Sequence, residues 1–358
     1  MSSEPKATLT SVRSAVEEEL SIFLNREAAY LNSISTELSP VSDSLTSFLL
    51  DSGKRLRPLF AFAGFAASGG TLDKPVVRAM AALELLQACA VIHDDLMDGS
   101  DTRRGKPSIH RHFESMHVQD ELEGFAPHYG LSAAVLLGDL SLVWSDQMLN
   151  SAGLTTDQCA RVLPYYNEMR VELMAGQFLD IHEQTQKNTS VDRSMTIARY
   201  KSGKYTIERP LHLGAAMTPN PSPEIFAALS AYGLPLGEAF QLRDDLLGVF
   251  GDPSVTGKPA GDDLREGKRT VLIAMTNDRQ SESQREIARK YFGKPDLDVQ
   301  GVELLREIIE TTGARAELEA TIERLTDQAL TAAQSAVFTE DGSAMLVELA
   351  NIATKRSS

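Results

Sequence analysis

The sequence predicts an all-α protein, and three observations carry that prediction. Ala, Leu, Glu and Met, all good helix formers, dominate the 358 positions. Apolar residues recur at helical spacing through most of the chain, while the alternating β-branched runs that strands need are few. With 42% hydrophobic and 24% charged residues, the chain can bury a large core, which excludes disorder for most of its length.

The elements follow in order. A helical extension is expected over residues 1–20, ahead of a helix at Ser44–Leu50. The next, Pro58–Ala67, opens on a proline whose ring presets φ and whose missing N–H a first turn leaves unbonded anyway. Lys74–Asp98 is a long Ala/Leu/Val-rich helix that closes on aspartates. Ser132–Asn150, Thr156–Gln184, Thr196–Met217 and Pro223–Val249 keep the helical period, with Pro164 and Pro235 expected to kink two of them. Gly203 interrupts the third at a point where a helix can bend. Helix resumes at Leu272–Ala274 and again over Gly313–Val337. Ser115–His128, acidic and rich in Met, Phe and His, shows no period; His112, His117 and His128 are too irregularly spaced for a zinc site. The Gly/Pro-rich stretches are short and no repeat occurs, so one domain is expected over residues 1–358, its motif-bearing core at about 45–337.

The formal net charge of −15 repels nucleic acid and anionic membranes, so neither is an expected partner, and any bound anion must meet a local basic cluster. Only Cys89 and Cys159 occur, each in an apolar stretch, which excludes a disulfide framework, points to reducing cytoplasm and leaves oxygen ligands for any metal. Met1–Leu20 carries Glu4, Glu17, Glu18 and Glu19 and lacks the basic start and apolar block of an export signal. Pro58–Ala67 and Val76–Ile92 are broken by Gly, Glu84 and Gln87 short of the ~20 apolar residues of a bilayer span, so no membrane span is expected.

Four constellations carry chemistry. Asp94-Asp95-Leu96-Met97-Asp98 ends the long apolar helix, and its neighbours four apart, Asp94 and Asp98, repel each other at the negative end of the helix dipole. A solvated acidic cap is the plain alternative, but Arg103-Arg104-Gly105-Lys106 follows at once and supplies positive charge. Gln241-Leu242-Arg243-Asp244-Asp245-Leu246-Leu247-Gly248 repeats the pattern, with Gln241 and Asp244 on one face and a Gly-rich loop bearing Lys258, Lys268 and Arg269 behind it. Gly53-Lys54-Arg55-Leu56-Arg57-Pro58 sets cations at a helix start, a natural anion site. Lys201-Ser202-Gly203-Lys204 alone is weak, since a surface lysine explains it equally well. Carboxylate oxygens suit Mg²⁺, which substrate phosphates usually complete, and no P-loop pattern is present. Two acidic helix ends, three basic segments and apolar walls suit the diphosphate ester of a hydrocarbon.

These motifs, GKRLRP at 53–58, DDLMD at 94–98, RRGKP at 103–107, GD at 138–139, KSGK at 201–204, FQLRDD at 240–245 and GKPAGDDLREGKRT at 257–270, stand in the order of one family. From about Leu45 to about Val337 the sequence resembles the trans-isoprenyl diphosphate synthases, or polyprenyl synthetases, and most of all a bacterial geranylgeranyl diphosphate synthase. The resemblance implies a helical bundle around a deep central cavity, a homodimer, and head-to-tail condensation of isopentenyl diphosphate with an allylic diphosphate. It implies that Lys54, Arg57 and Arg104 hold isopentenyl diphosphate, and that Arg103, Lys201, Ser202, Gln241 and Lys258 hold the allylic diphosphate, with Gln87 and Lys268 as further substrate contacts. Asp94, Asp98 and Asp244 would carry Mg²⁺, three ions per active site, and Asp95 joins the catalytic set. Two departures stand out: Gly248 where the family commonly has a third Asp, so that Mg²⁺ there would lean on Asp245 or water, and Gln87 where it often has His. Ser202 for the common Thr keeps the hydroxyl.

Loss of diphosphate would leave an allylic cation for the isopentenyl double bond to attack, with Mg²⁺, Lys and Arg stabilising the departing charge, the Gly-rich loops and Lys258 excluding water, and the diphosphate taking the last proton. One turn behind Asp94, the small Cys89 and Ala90 replace the aromatic floor of short-chain members, so a C20 product is expected, with Leu86 as the floor and a Cys89→Phe variant making a shorter product. Farnesyl and longer polyprenyl products are the alternatives. A terpene cyclase would need an N-x-x-x-S-x-x-x-E site, absent after residue 200, and a non-catalytic partner subunit would typically have lost aspartates that Asp94, Asp95 and Asp98 retain.

Overall fold

Nearly every segment is helical, as the composition requires, in the computed structural model, which describes residues 7–51, 53–186, 188–252 and 261–355. The chain divides into two units, Met1–Phe62 with Gly70–Ala160, and Ala63–Gly69 with Arg161–Ser358.

In the first unit α1 (Leu9–Ile34) starts on a capping box in which Thr8 and Ser11 bond each other's backbone N–H, and it runs well past the expected 1–20 extension. After α2 (Ser39–Leu50), with Pro40 in its first turn, α3 (Leu56–Ala67) crosses the boundary between the units. The centre of the unit is α4 (Lys74–Met97), capped by the Asp73 carboxylate, which accepts from Val76 N–H at 3.0 Å. It packs on α1 and on α6 (Ala126–Asn150), where Ser145 Oγ donates to the Ala82 carbonyl at 2.7 Å. Alanines along α4 allow that close approach. Among the described residues this one helix is long and apolar enough to cross a membrane, and 72% of its most apolar stretch is buried inside the fold.

The unperiodic Ser115–His128 takes in the start of α6 and the end of α5 (Ile109–Gln119), whose buried face is Ile109, His110, Phe113 and His117. Two of the four inward residues are histidines, so a search for apolar period misses it. The RRGK stretch is a hairpin, β1 (Thr102–Arg103) against β2 (Lys106–Pro107), turned by Arg104 and Gly105 with φ of 54° and 75°. Positive φ at both central positions is the turn that matches strand twist.

In the second unit α7 (Thr156–Gln184) runs on through Pro164, and the helix expected over Thr196–Met217 is three pieces. They are α8 (Val191–Ile197), a π-helix over Ala198–Glu208, and α9 (Arg209–Ala216). Next come α10 (Pro223–Phe250), continuous through Pro235, and the short α11 (Asp262–Glu266). Helices α12 (Val271–Arg279), α13 (Glu282–Tyr291), α14 (Val299–Thr311), α15 (Ala314–Ala332) and α16 (Glu340–Thr354) complete the unit. Leu242, Leu246 and Val249 of α10 share a core with Leu264, Leu272 and Leu318. The Tyr232 hydroxyl donates to the Leu346 carbonyl at 2.7 Å, tying in α16, which the sequence reading did not include.

Candidate active site

The three aspartates that close α4 part company. Asp94 and Asp98 are half-buried, four residues apart on one side of the helix. Asp95 is 1% exposed and takes Arg103 Nε at 2.8 and 3.1 Å on its two oxygens, with a further contact from Arg103 Nη2. Arg103 Nη2 also lies 3.9 Å from Asp94 Oδ2. One arginine is thereby fixed beside the two half-buried carboxylates, and its charge offsets the crowding of anions at a helix C-terminus.

The other cations of the hairpin diverge. Lys106 reaches Asp51 at 2.5 Å, away from the aspartates, whereas Arg104 lies over the Phe48 ring at 5.9 Å. Burial pulls the Arg104 guanidinium below its usual range, with Arg55 and Arg103 adding to the effect and Glu84 and Asp95 opposing it. In GKRLRP, Lys54 is exposed and Arg57 half-buried, but Arg55 between them is 3% exposed. Behind Asp94 on α4, Gln87 and Ala90 share its half-buried side. Cys89 and Leu86 are fully buried, and the Cys89 Sγ lies 3.8 Å from His93 Nδ1. Burial, with the Asp139 charge, pushes the Cys89 thiol up to about 12, so it stays protonated.

In the second unit KSGK lies on the π-helix, whose wide turn splits the charges. Lys201 Nζ pairs with Asp180 at 2.6 Å and Lys204 Nζ with Glu172 at 2.5 Å, Glu172 being also gripped by Arg209 at 2.7 and 2.8 Å. Glycines hold this stretch against its neighbours: a Cβ on Gly176 would lie 2.3 Å from the Lys201 nitrogen, and one on Gly237 2.6 Å from the Gly203 Cα. Ser202 is half-buried, as are Gln241 and Asp244 at the end of α10.

Gln241 Nε2 donates to Asp245 Oδ1 at 2.8 Å, so its amide is turned to Asp245. Asp245 is 4% exposed, and burial, with the charges of Asp263, Asp244 and Asp180, raises its carboxyl to about 8 against the Gln241 bond. Asp245 is therefore closed in, and the room left by Gly248 is taken by another residue: a Cβ there would lie 1.9 Å from Asp263 Oδ2. Lys268 adjoins it, at 2.9 Å from Glu266 and 3.9 Å from Asp263. Lys258 lies outside the described residues. Asp180, Glu172 and Asp263 carry no signal in the sequence, the first two because each is a single carboxylate within a helix, the third because it is one of several charges in a charged stretch.

The chain matches the Polyprenyl synthetase family over residues 39–309. It is 33% identical over 264 residues to a geranylgeranyl diphosphate synthase of Mycobacterium tuberculosis, covering 73% of this chain and 69% of that protein. A geranylfarnesyl diphosphate synthase of Aeropyrum pernix is 32% identical over 225 residues, 62% of this chain and 65% of that one. The crystal structure of a Corynebacterium glutamicum geranylgeranyl pyrophosphate synthase, complexed with isoprenyl diphosphate and magnesium, superposes with a TM-score of 0.94 at 41% identity, over 98% of this chain and 100% of that one. All-α architecture and paired aspartate motifs thus define a prenyltransferase. The chain belongs to the polyprenyl synthetase family, the trans-isoprenyl diphosphate synthases.

Proposed function

We propose that the chain condenses isopentenyl diphosphate with an allylic diphosphate head-to-tail, with Mg²⁺, to give geranylgeranyl diphosphate. The observation that carries this reading is the end of α4, where Asp94 and Asp98 stay half-buried beside an arginine locked by Asp95. Two carboxylate donors at the end of an apolar helix fit an ion that takes its remaining ligands from diphosphate oxygens and water. Among the described residues no three His, Cys, Asp or Glu form a metal cage of their own. Asp94, Asp98 and Asp244 would hold Mg²⁺, three ions in all, as the family resemblance implies. When bound, Mg²⁺ neutralises the diphosphate and stabilises the charge that develops as it leaves.

Arg103 and Lys201, each oriented by a carboxylate, would bind the departing allylic diphosphate together with Ser202, Gln241, Lys258 and Lys268. Lys54, Arg57 and Arg104 would hold isopentenyl diphosphate. The C20 length is supported by the small Ala90 on the Asp94 side of α4 and by relatives that make geranylgeranyl and geranylfarnesyl products. A homodimer is supported by Leu136 and Val143, seven apart on α6 and 66% and 58% exposed. The unpaired thiols of Cys89 and Cys159 suit the cytoplasm.

Purified protein given Mg²⁺, isopentenyl diphosphate and farnesyl diphosphate tests the reading, with products sized by chromatography. A C20 product supports it; no prenyl transfer by the lone protein would favour a partner subunit, and a longer product would move the floor below Leu86.

A further inference from the structure

The middle cation of GKRLRP does a different task from its neighbours. Arg55 Nη1 donates to Glu84 Oε2 at 2.9 Å, Nη2 to the Leu49 carbonyl at 2.6 Å, and Nε to Glu17 Oε1 at 3.3 Å. All three guanidinium nitrogens are thus engaged inside the fold, on α4, α2 and α1 respectively. The Arg55 backbone has a φ of 52°, a left-handed conformation that a residue with a side chain keeps only where its surroundings hold it. The Arg55 carbonyl accepts from Leu59 N–H at 3.1 Å, so the residue also starts α3. A Cβ on Gly53 would meet Arg55 Nη1 at 2.7 Å, so the loop closes around the guanidinium.

We propose that Arg55 and Glu84 form a positioning pair that sets Lys54, Arg57 and Arg104 for the diphosphate of isopentenyl diphosphate. Glu84 stands ten residues before Asp94 on one continuous helix, so the pair pins the basic loop to the same rigid element that carries the aspartates. Arg104 lies close enough to feel both charges, and it rests on Phe48, the neighbour of the Leu49 whose carbonyl Arg55 grips. Arg55 contacts no substrate in this arrangement, because its nitrogens face the protein. The proposal rests on the assignment of Lys54, Arg57 and Arg104 made above.

Steady-state kinetics of the full chain with Mg²⁺, each substrate varied in turn, test it. Arg55→Gln and Glu84→Gln should each raise KM for isopentenyl diphosphate about tenfold, with kcat and the allylic KM within about twofold, as expected when binding groups are misplaced but the reacting groups are not. In a Lys54→Ala/Arg57→Ala/Arg104→Ala background Arg55→Gln should add less than about twofold, since the groups it positions have gone. Equal changes in kcat and both KM values, accompanied by a lower melting temperature, would show general loosening and overturn the pair's role. Full additivity in that triple background would do the same. If Lys54→Ala and Arg57→Ala leave KM for isopentenyl diphosphate unchanged, the site assignment and the pair fall together; if they raise it and Glu84→Gln does not, the pair alone falls. Glu84→Gln keeps an acceptor for Arg55 and carries the test should Arg55→Gln fail to fold.

Discussion

Asp95 stands between two half-buried carboxylates and yet is itself buried, because the 100° step of a helix turns it inward onto Arg103. Asp95→Asn should destabilise the fold by about 2 kcal/mol, less than a fully buried pair because the Arg103 side chain is 22% exposed and can rehydrate. Urea unfolding measures this, and turnover should fall with it as Arg103 loses its orientation. A second residue-scale effect concerns pH. His212 is 4% exposed, and burial together with the Arg209 charge lowers its pKa to about 4. Its ring nitrogens lie 3.0 Å from Ser230 Oγ and 3.4 Å from Arg209 Nη1, in a network with Glu208, Glu172 and Lys204. Because the unfolded histidine titrates near about 6.5, only the unfolded chain takes up this proton as pH falls from there toward 4, so stability drops over that window by up to about 3 kcal/mol. Unfolding titrations across the window should show a shallower slope for His212→Gln; an unchanged slope would remove His212 as the cause.

The elements carry their own tests. The π-helix meets α10 backbone to backbone at Gly203 and Gly237. Gly→Ala within an exposed helix would add about 1 kcal/mol, but here the new methyl overlaps main chain that cannot rotate away, so Gly237→Ala should cost about 2 kcal/mol instead and raise the allylic KM by displacing Lys201 and Ser202. Thermal unfolding gives the sign. Along α4 the Asp94 side bears Ala90, one turn back. Ala90→Phe should shorten the product by one prenyl unit, a turn of about 5.4 Å, at little cost in stability. Cys89→Phe must fit a fully buried site and should lose about 1–3 kcal/mol as it acts. Product sizing on both variants, with melting curves, separates the two positions.

For the molecule as a whole, the net charge is −15, and the proposed Mg²⁺ sites at the helix ends would make divalent cations a stabilising ligand. Chelation should abolish turnover, and added Mg²⁺ should restore it. Mg²⁺ with inorganic diphosphate should stabilise the wild type by about 3 kcal/mol at a hundredfold excess over Kd, read as a higher melting temperature, and should leave that of Asp94→Asn unchanged. Fold class and the long helices were legible in the chain because they rest on local rules, helical period and caps, and the family was legible because its motif residues stand a few positions apart. Helix α5 was not, since histidines fill half its buried face, and the π-helix was not, since nothing in KSGK distinguishes its wider turn from an ordinary one. Partners far apart in the chain were also hidden: Arg55 with Glu84, Lys201 with Asp180, and the Asp263 carboxylate in the space beside Gly248. Type and spacing say which groups can take part in chemistry. Which of them is locked, which stays open and which fills another's place depends on packing between segments that sequence order does not bring together.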